Sequence, residues 1–171
     1  MPVSTMPSCF QSYKPRYMKV YGAICINNKG EVLLVHGRQS KKWSFPKGHV
    51  KGNEKDLECV KRELYEETGL LAPDNYVSFH KLYAASYYIF VYENTPKTKI
   101  NDKSEVDELM WVPLTQIPEE DCNVDVSIFR SIMKSIRYDQ DEIEYISSDF
   151  AHKKATHIKS QIGKNETKVI C

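Results

Sequence analysis

Between Gly48 and Leu70 the chain reads GHVKGNEKDLECVKRELYEETGL. From Lys55 to Thr68 this is the strongest helix pattern in the sequence. Asn53 or Glu54 stands near its start, acids fill its first turn, and Gly69 follows where a helix ends in a left-handed residue. At about 100° per residue, Glu63, Glu66 and Glu67 fall on one face, within roughly 100° of one another. Leu57, Val60 and Leu64 centre about 90° away. The helix therefore buries an apolar stripe while holding three carboxylates at the edge of a cleft.

Three carboxylates this close repel one another, and without a countercharge some must take up protons. A divalent cation resolves that conflict. Oxygen donors with no Cys or His at a matching spacing favour Mg2+ or Mn2+ over zinc. Arg62, on the other flank, is spaced to pair with Glu54 or Glu58 or to steer Glu66. A metal held here neutralises a pyrophosphate and lowers the pKa of a water, which is what hydrolysis of a phosphoanhydride requires. An isolated ExxEE triplet is most often a solvated acidic face. The wider spacing carries the information.

Upstream, Tyr17–Ile26 (YMKVYGAICI) and Glu31–His36 (EVLLVH) are apolar, β-rich runs separated by the turn signal Asn27-Asn28-Lys29-Gly30, so two antiparallel strands are expected. Gly22 interrupts the first as a site of close backbone approach, packing or a bulge. A basic loop, Gly37–Lys42, then leads into Trp43–Gly48, where Pro46 excludes the middle of a sheet. Downstream, Pro73–Asn75 reads as a turn, and Tyr76–Tyr83 and Ala85–Tyr92 as strands, the second apolar enough to be central. Glu93–Lys103 reads as a mobile loop, Glu108–Leu114 as a strand, and Val126–Arg137 as a second amphipathic helix. The expected organisation is an irregular leader at 1–16, one domain at 17–138 and a poorly ordered C-terminal extension at 139–171. The fold class is α/β, a mixed sheet with helices packed on it.

The 171 residues suit one domain with a proper core. A formal net charge of +1 neither demands nor excludes a polyanionic partner, so any basic surface must be local. The five cysteines form no CxxC pair, which fits reduced thiols in a cytoplasmic location better than a disulfide framework or zinc. The first residues lack the apolar centre of a signal peptide, and no apolar run approaches the roughly 18 residues that span a membrane. Nothing marks DNA as a partner or identifies a protein partner. His36, His49 and His80 are dispersed and form no catalytic pair.

Gly48, Glu54, Arg62, Glu63, Leu64, Glu66, Glu67, Gly69 and Leu70 are spaced as in the Nudix box, and the chain resembles Nudix hydrolases. Chance would produce its seven fixed letters on the order of once in a million chains. The resemblance implies an α/β/α sandwich with a catalytic loop–helix–loop, and hydrolysis of a nucleoside diphosphate linked to another moiety with Mg2+ or Mn2+. It implies metal ligation by Glu63, Glu66 and Glu67, with Glu67 the indispensable one, Glu66 and Glu67 counted among the catalytic residues, and a backbone carbonyl offered by Lys47. Gly48, Glu54, Arg62 and Gly69 would hold the box together.

The flanks VYGAI (20–24), VLLVHGR (32–38), WSFPKG (43–48) and EVDELMWVPLTQIP (105–118) look like the catalytic domain of mRNA-decapping Nudix enzymes. By that likeness Glu105, six residues before Trp111, lies across the cleft as base or additional ligand. Arg38 and Lys47 are the candidate phosphate contacts. The expected substrate is a capped RNA end, with dinucleoside polyphosphates and diphosphoinositol polyphosphates as alternatives. A binding module for nucleotides or RNA ends that does not cleave them is the alternative of another class.

Overall fold

The strand Val20–Asn27 (β1) alternates its buried side chains between two faces, Ala23 and Cys25 on one and Ile24 and Ile26 on the other. A strand apolar on both faces must be covered on both. The computed structural model describes residues 19–135, so the leader at 1–16 and the extension at 139–171 lie outside the described residues. After β1 come Glu31–Gly37 (β2), Trp43–Ser44 (β3), Lys47–His49 (β4), Asp56–Thr68 (α1), Ser78–Lys81 (β5), Ser86–Tyr92 (β6), Val106–Pro113 (β7) and Val124–Ser135 (α2).

The sheet runs β3-β2-β1-β6-β5, with β4 also paired to β1 and β7 to β2. β1 and β6 are parallel, from Tyr21 opposite Ser86 to Asn27 opposite Tyr92. The remaining pairs are antiparallel, so the sheet is mixed, and β6 is central as its apolar sequence requires. On one face Val60 and Leu64 of α1 pack with Ala23, Cys25, Leu33 and Phe90. On the other, Val126, Phe129, Ile132 and Met133 of α2 meet Ile24, Ile26, Val32, Leu34 and Ile89. Phe45 and Phe129 stack edge to face at 5.3 Å, and truncating such a buried ring to Ala costs about 3–5 kcal/mol. The result is the expected α/β/α sandwich.

Three departures bear on the site. The Trp43–Gly48 segment carries two short strands, β3 and β4, that the sequence pattern does not mark, on either side of a bend at Pro46. Pro46 sits between them, where its missing N–H costs no ladder bond, and its carbonyl accepts the Ala23 N–H at 2.9 Å. Gly22 makes this possible: a Cβ there would lie 2.6 Å from the Cβ of Lys47 and 2.8 Å from the ring of Tyr87.

The stretch 93–103, expected to be mobile, lacks helix and strand but is bonded to the end of α1. Lys99 N–H reaches Thr68 O at 2.8 Å, Asp102 N–H reaches Glu66 O at 2.7 Å, and the Asn101 side chain reaches Tyr65 O at 2.9 Å. The last carbonyls of a helix have no partners within it, and α1 has no basic residue in its last turn to serve them. Third, β7 begins at Val106 with a bulge. His36 faces Glu108 and Gly37 faces Val106, leaving Asp107 as the extra residue.

Candidate active site

Helix α1 is held at both ends. The N–H of its N-cap residue, Lys55, donates to the Glu58 carboxylate at 2.8 Å, and Gly69, at φ 70°, returns its N–H to Tyr65 O at 2.9 Å. The preceding loop is tied to the helix through Arg62. Its Nε and Nη2 form a fork on the two oxygens of Glu54 at 3.0 and 2.5 Å, and Nη2 also reaches His49 O at 3.0 Å. Its Nη1 contacts Glu63 at 2.5 Å and Glu66 at 3.1 Å. The fork on Arg62 holds the Glu54 carboxyl down to about 2. The box residues Gly48, Glu54, Arg62 and Gly69 thus form a connected frame, with Cys59 beneath it directing its Sγ at Gly48 O at 3.6 Å.

Glu63 and Glu67 are buried, and Glu105 approaches them from the segment before β7. One carboxylate oxygen from each lies within 4.8 Å of the other two. A Cβ on Gly48 would collide with the Glu63 carboxylate, so the glycine is what admits that side chain. Glu67 accepts the backbone N–H of Lys47 at 3.0 Å. Burial pushes the Glu67 carboxyl up to about 8; Lys47 opposes the rise, and Glu63 and Glu105 add to it. An oxygen-only donor set, two of its members buried and the third exposed, with excess negative charge fits a hard divalent cation.

Of the sequence candidates, the structure therefore gathers Glu63, Glu67 and Glu105. Glu66 points to the flank, between Arg62 Nη1 and Lys51 Nζ, the latter at 3.5 Å. Lys47 lines the cleft, whereas the Arg38 Nε–H donates to Lys103 O at 2.8 Å.

The three carboxylates line a cleft of about 510 Å³. Its other walls include Gln39 and Ser40 from the β2–β3 loop, His49 at the end of β4, Lys51 from the loop before α1, and Ala84 from the β5–β6 turn. That volume suits a nucleotide-sized ligand. Gln39, Ser40, Lys51 and Ala84 have no signal in the sequence, because loop and turn residues carry no periodicity and only the fold brings them together. Sequence reading also missed buried Asp125, which accepts the Tyr87 hydroxyl at 2.8 Å and the Ala84 N–H at 2.9 Å, anchoring that wall.

The NUDIX domain model matches residues 16–131. The chain is 28% identical over 137 residues to the m7GpppN-mRNA hydrolase of Saccharomyces cerevisiae, covering 74% of this chain and 14% of that protein. It therefore spans a small part of that relative's length. It is 26% identical over 157 residues to the RNA pyrophosphohydrolase of Haemophilus influenzae, covering 83% of this chain and 76% of the relative. Among solved structures, the MutT protein from Methanosarcina mazei superposes with a TM-score of 0.51 at 25% identity, covering 69% of this chain and 93% of that one.

Proposed function

The chain belongs to the Nudix hydrolase family, and on that premise we propose that it is a pyrophosphohydrolase acting on the capped 5′ end of RNA in the cytoplasm. The observation that carries the reaction class is the convergence of Glu63, Glu67 and Glu105 within 4.8 Å on the lining of the cleft. The capped RNA end is favoured because the relatives include an mRNA-cap hydrolase and an RNA pyrophosphohydrolase.

Glu63 and Glu67 would hold the cation, Mg2+ or Mn2+, with Glu66 on the adjoining flank. When bound, the cation supplies countercharge for the phosphates and acidifies a water. Glu105, the exposed member of the trio, takes the proton of the attacking water. Lys47 keeps Glu67 aimed through its backbone N–H and offers its ammonium to a phosphate oxygen at the cleft wall. Arg62, braced by Glu54, orients Glu63 and Glu66.

The test is hydrolysis of capped RNA, diadenosine tetraphosphate and a diphosphoinositol polyphosphate side by side with Mg2+. Release of methylguanosine diphosphate from capped RNA alone is the expected result. Turnover of either other substrate in preference would move the assignment to that class. Saturable binding without product from any of them would replace the enzyme reading with a binding module.

A further inference from the structure

We infer that Arg38 is a positioning residue for Glu105 and does not serve as a phosphate contact. The inference rests on the reading above in which Glu105 takes the proton from the attacking water. Glu105 stands on an exposed stretch before β7, outside any helix or strand. A carboxylate there acts on a water only if its backbone is fixed, since misplacement by about 1 Å can cost a hundredfold in rate.

One end of the stretch is fixed to α1, through the bonds from Asn101 and Asp102 to Tyr65 O and Glu66 O. Asp102 then turns the chain by accepting the Ser104 N–H at 2.8 Å and its hydroxyl at 2.5 Å. The other end is fixed by Arg38. Its backbone N–H donates to Glu105 O at 2.8 Å, and its Nε–H donates to Lys103 O at 2.8 Å. The two carbonyls flanking Ser104 are thereby tied to a single residue of the β2–β3 loop.

That loop is itself closed. Gly37 N–H reaches Lys42 O at 3.0 Å, and Lys41 N–H, from a residue at φ 54°, reaches Gly37 O at 2.9 Å. The bulge beside it is pinned as well, since Asp107 meets His36 Nδ1 at 2.5 Å and Lys41 Nζ at 3.3 Å. The bulge sets where β7 stops pairing with β2, and Arg38 takes up the chain from that point. The Arg38 side chain acts through its Nε, a planar donor partway along the side chain. Lysine has no donor at that place and carries its charge on a flexible end.

The two roles separate on Arg38→Ala and Arg38→Lys in the full chain. Steady-state kinetics on a short capped RNA with Mg2+ are combined with hydrogen exchange of the position-38 and Val106 amides. A positioning role lowers kcat about ten- to a hundredfold in both variants, with KM within about twofold of the parent. Both variants also exchange those two amides faster, while the core amides of β1 and β6 keep their protection. A raised KM with kcat intact, rescued by lysine, would overturn the inference in favour of a phosphate contact. Unchanged exchange at both amides would overturn it as well. Should the parent chain cleave no substrate, the reaction reading fails, and exchange alone decides whether the clamp exists.

Discussion

The Glu67 carboxylate accepts the backbone N–H of Lys47 at 3.0 Å, across 20 residues of sequence. This bond joins the last turns of α1 to β4 and aims a buried acid at Glu63 and Glu105. The same burial makes Glu67 costly to ionise, with the Glu63 and Glu105 carboxylates adding to the cost.

Glu67→Gln keeps the shape and removes the charge. Turnover should fall by more than about a hundredfold, the upper range for merely loosening a metal ligand's support. The metal-free variant should melt at the same temperature as the parent or higher, because the buried acid and its repulsion are gone. Steady-state rates and thermal melts in a chelator check both halves, and near-normal turnover would remove Glu67 from the mechanism.

In the proposed mechanism metal and pH act on the same group. Glu67 has a folded pKa raised to about 8, so between the ordinary carboxylate range and pH 8 the metal-free folded state binds more protons than the unfolded one. Stability then falls as pH rises through that window. Saturating Mg2+ or Mn2+ should restore it, by about 2.7 kcal/mol at a hundredfold excess over Kd. Melting curves with and without metal at several pH values test this, and the same slope in Glu67→Gln would assign it to another group.

Gly48→Ala addresses Glu63 without touching a carboxylate. The added Cβ meets the far end of the Glu63 side chain, which can swing away, so the fold should survive while the carboxylate trio is broken. Metal affinity measured by titration should drop about tenfold or more, as when the support of a ligand is lost. Parent-like affinity would show that Glu63 is dispensable for the cation.

Most of this site was legible in the spacing of the Gly48–Leu70 stretch, because a helix converts fixed intervals into fixed angles. Glu63 and Glu67 therefore came together as their spacing requires. Glu66 shares their face but is turned to Arg62, as the i,i+4 interval allows, and to Lys51, which the loop before α1 brings to it. The short strands β3 and β4 were hidden by Pro46, whose effect on a sheet depends on which neighbour it faces. The order in 93–103 was hidden too, since it comes from carbonyls of α1 that are distant in sequence. The likeness of the flanks to decapping enzymes pointed to Glu105. How it is placed depends on the bulge at Asp107 and on the Arg38 bonds to the Glu105 and Lys103 carbonyls, none of which has a sequence signal.

The Glu54–Arg62 pair gives an acid-side prediction of opposite sign. Arg62 holds Glu54 down to about 2, so the pair's contribution is complete above the ordinary carboxylate range and is lost as pH falls toward 2. In Glu54→Gln that part of the acid sensitivity should disappear, and Arg62 should loosen from the loop before α1. Acid titrations followed by circular dichroism compare the two chains. Identical acid midpoints would show that the fork contributes nothing to the frame.

Asp125 braces the part of the cleft wall that Ala84 forms. Asp125 is fully buried at the first turn of α2, where a negative charge also suits the helix dipole. It accepts the Tyr87 hydroxyl at 2.8 Å and the Ala84 N–H at 2.9 Å, and burial, followed by Asp125 itself, raises the Tyr87 pKa well above its usual value. Tyr87→Phe leaves one buried oxygen unpaired and should cost about 1–3 kcal/mol. Asp125→Ala strands both donors and should cost about 2–6 kcal/mol, since each unpaired group costs about 1–3. Because Ala84 lines the cleft and Asp125 fixes its backbone, Asp125→Ala should also raise KM. Tyr87→Phe leaves the bond to Ala84 in place and should leave KM unchanged. Urea denaturation gives the stabilities and steady-state kinetics the KM values; equal effects of the two variants on KM would show that Ala84 is not held through Asp125.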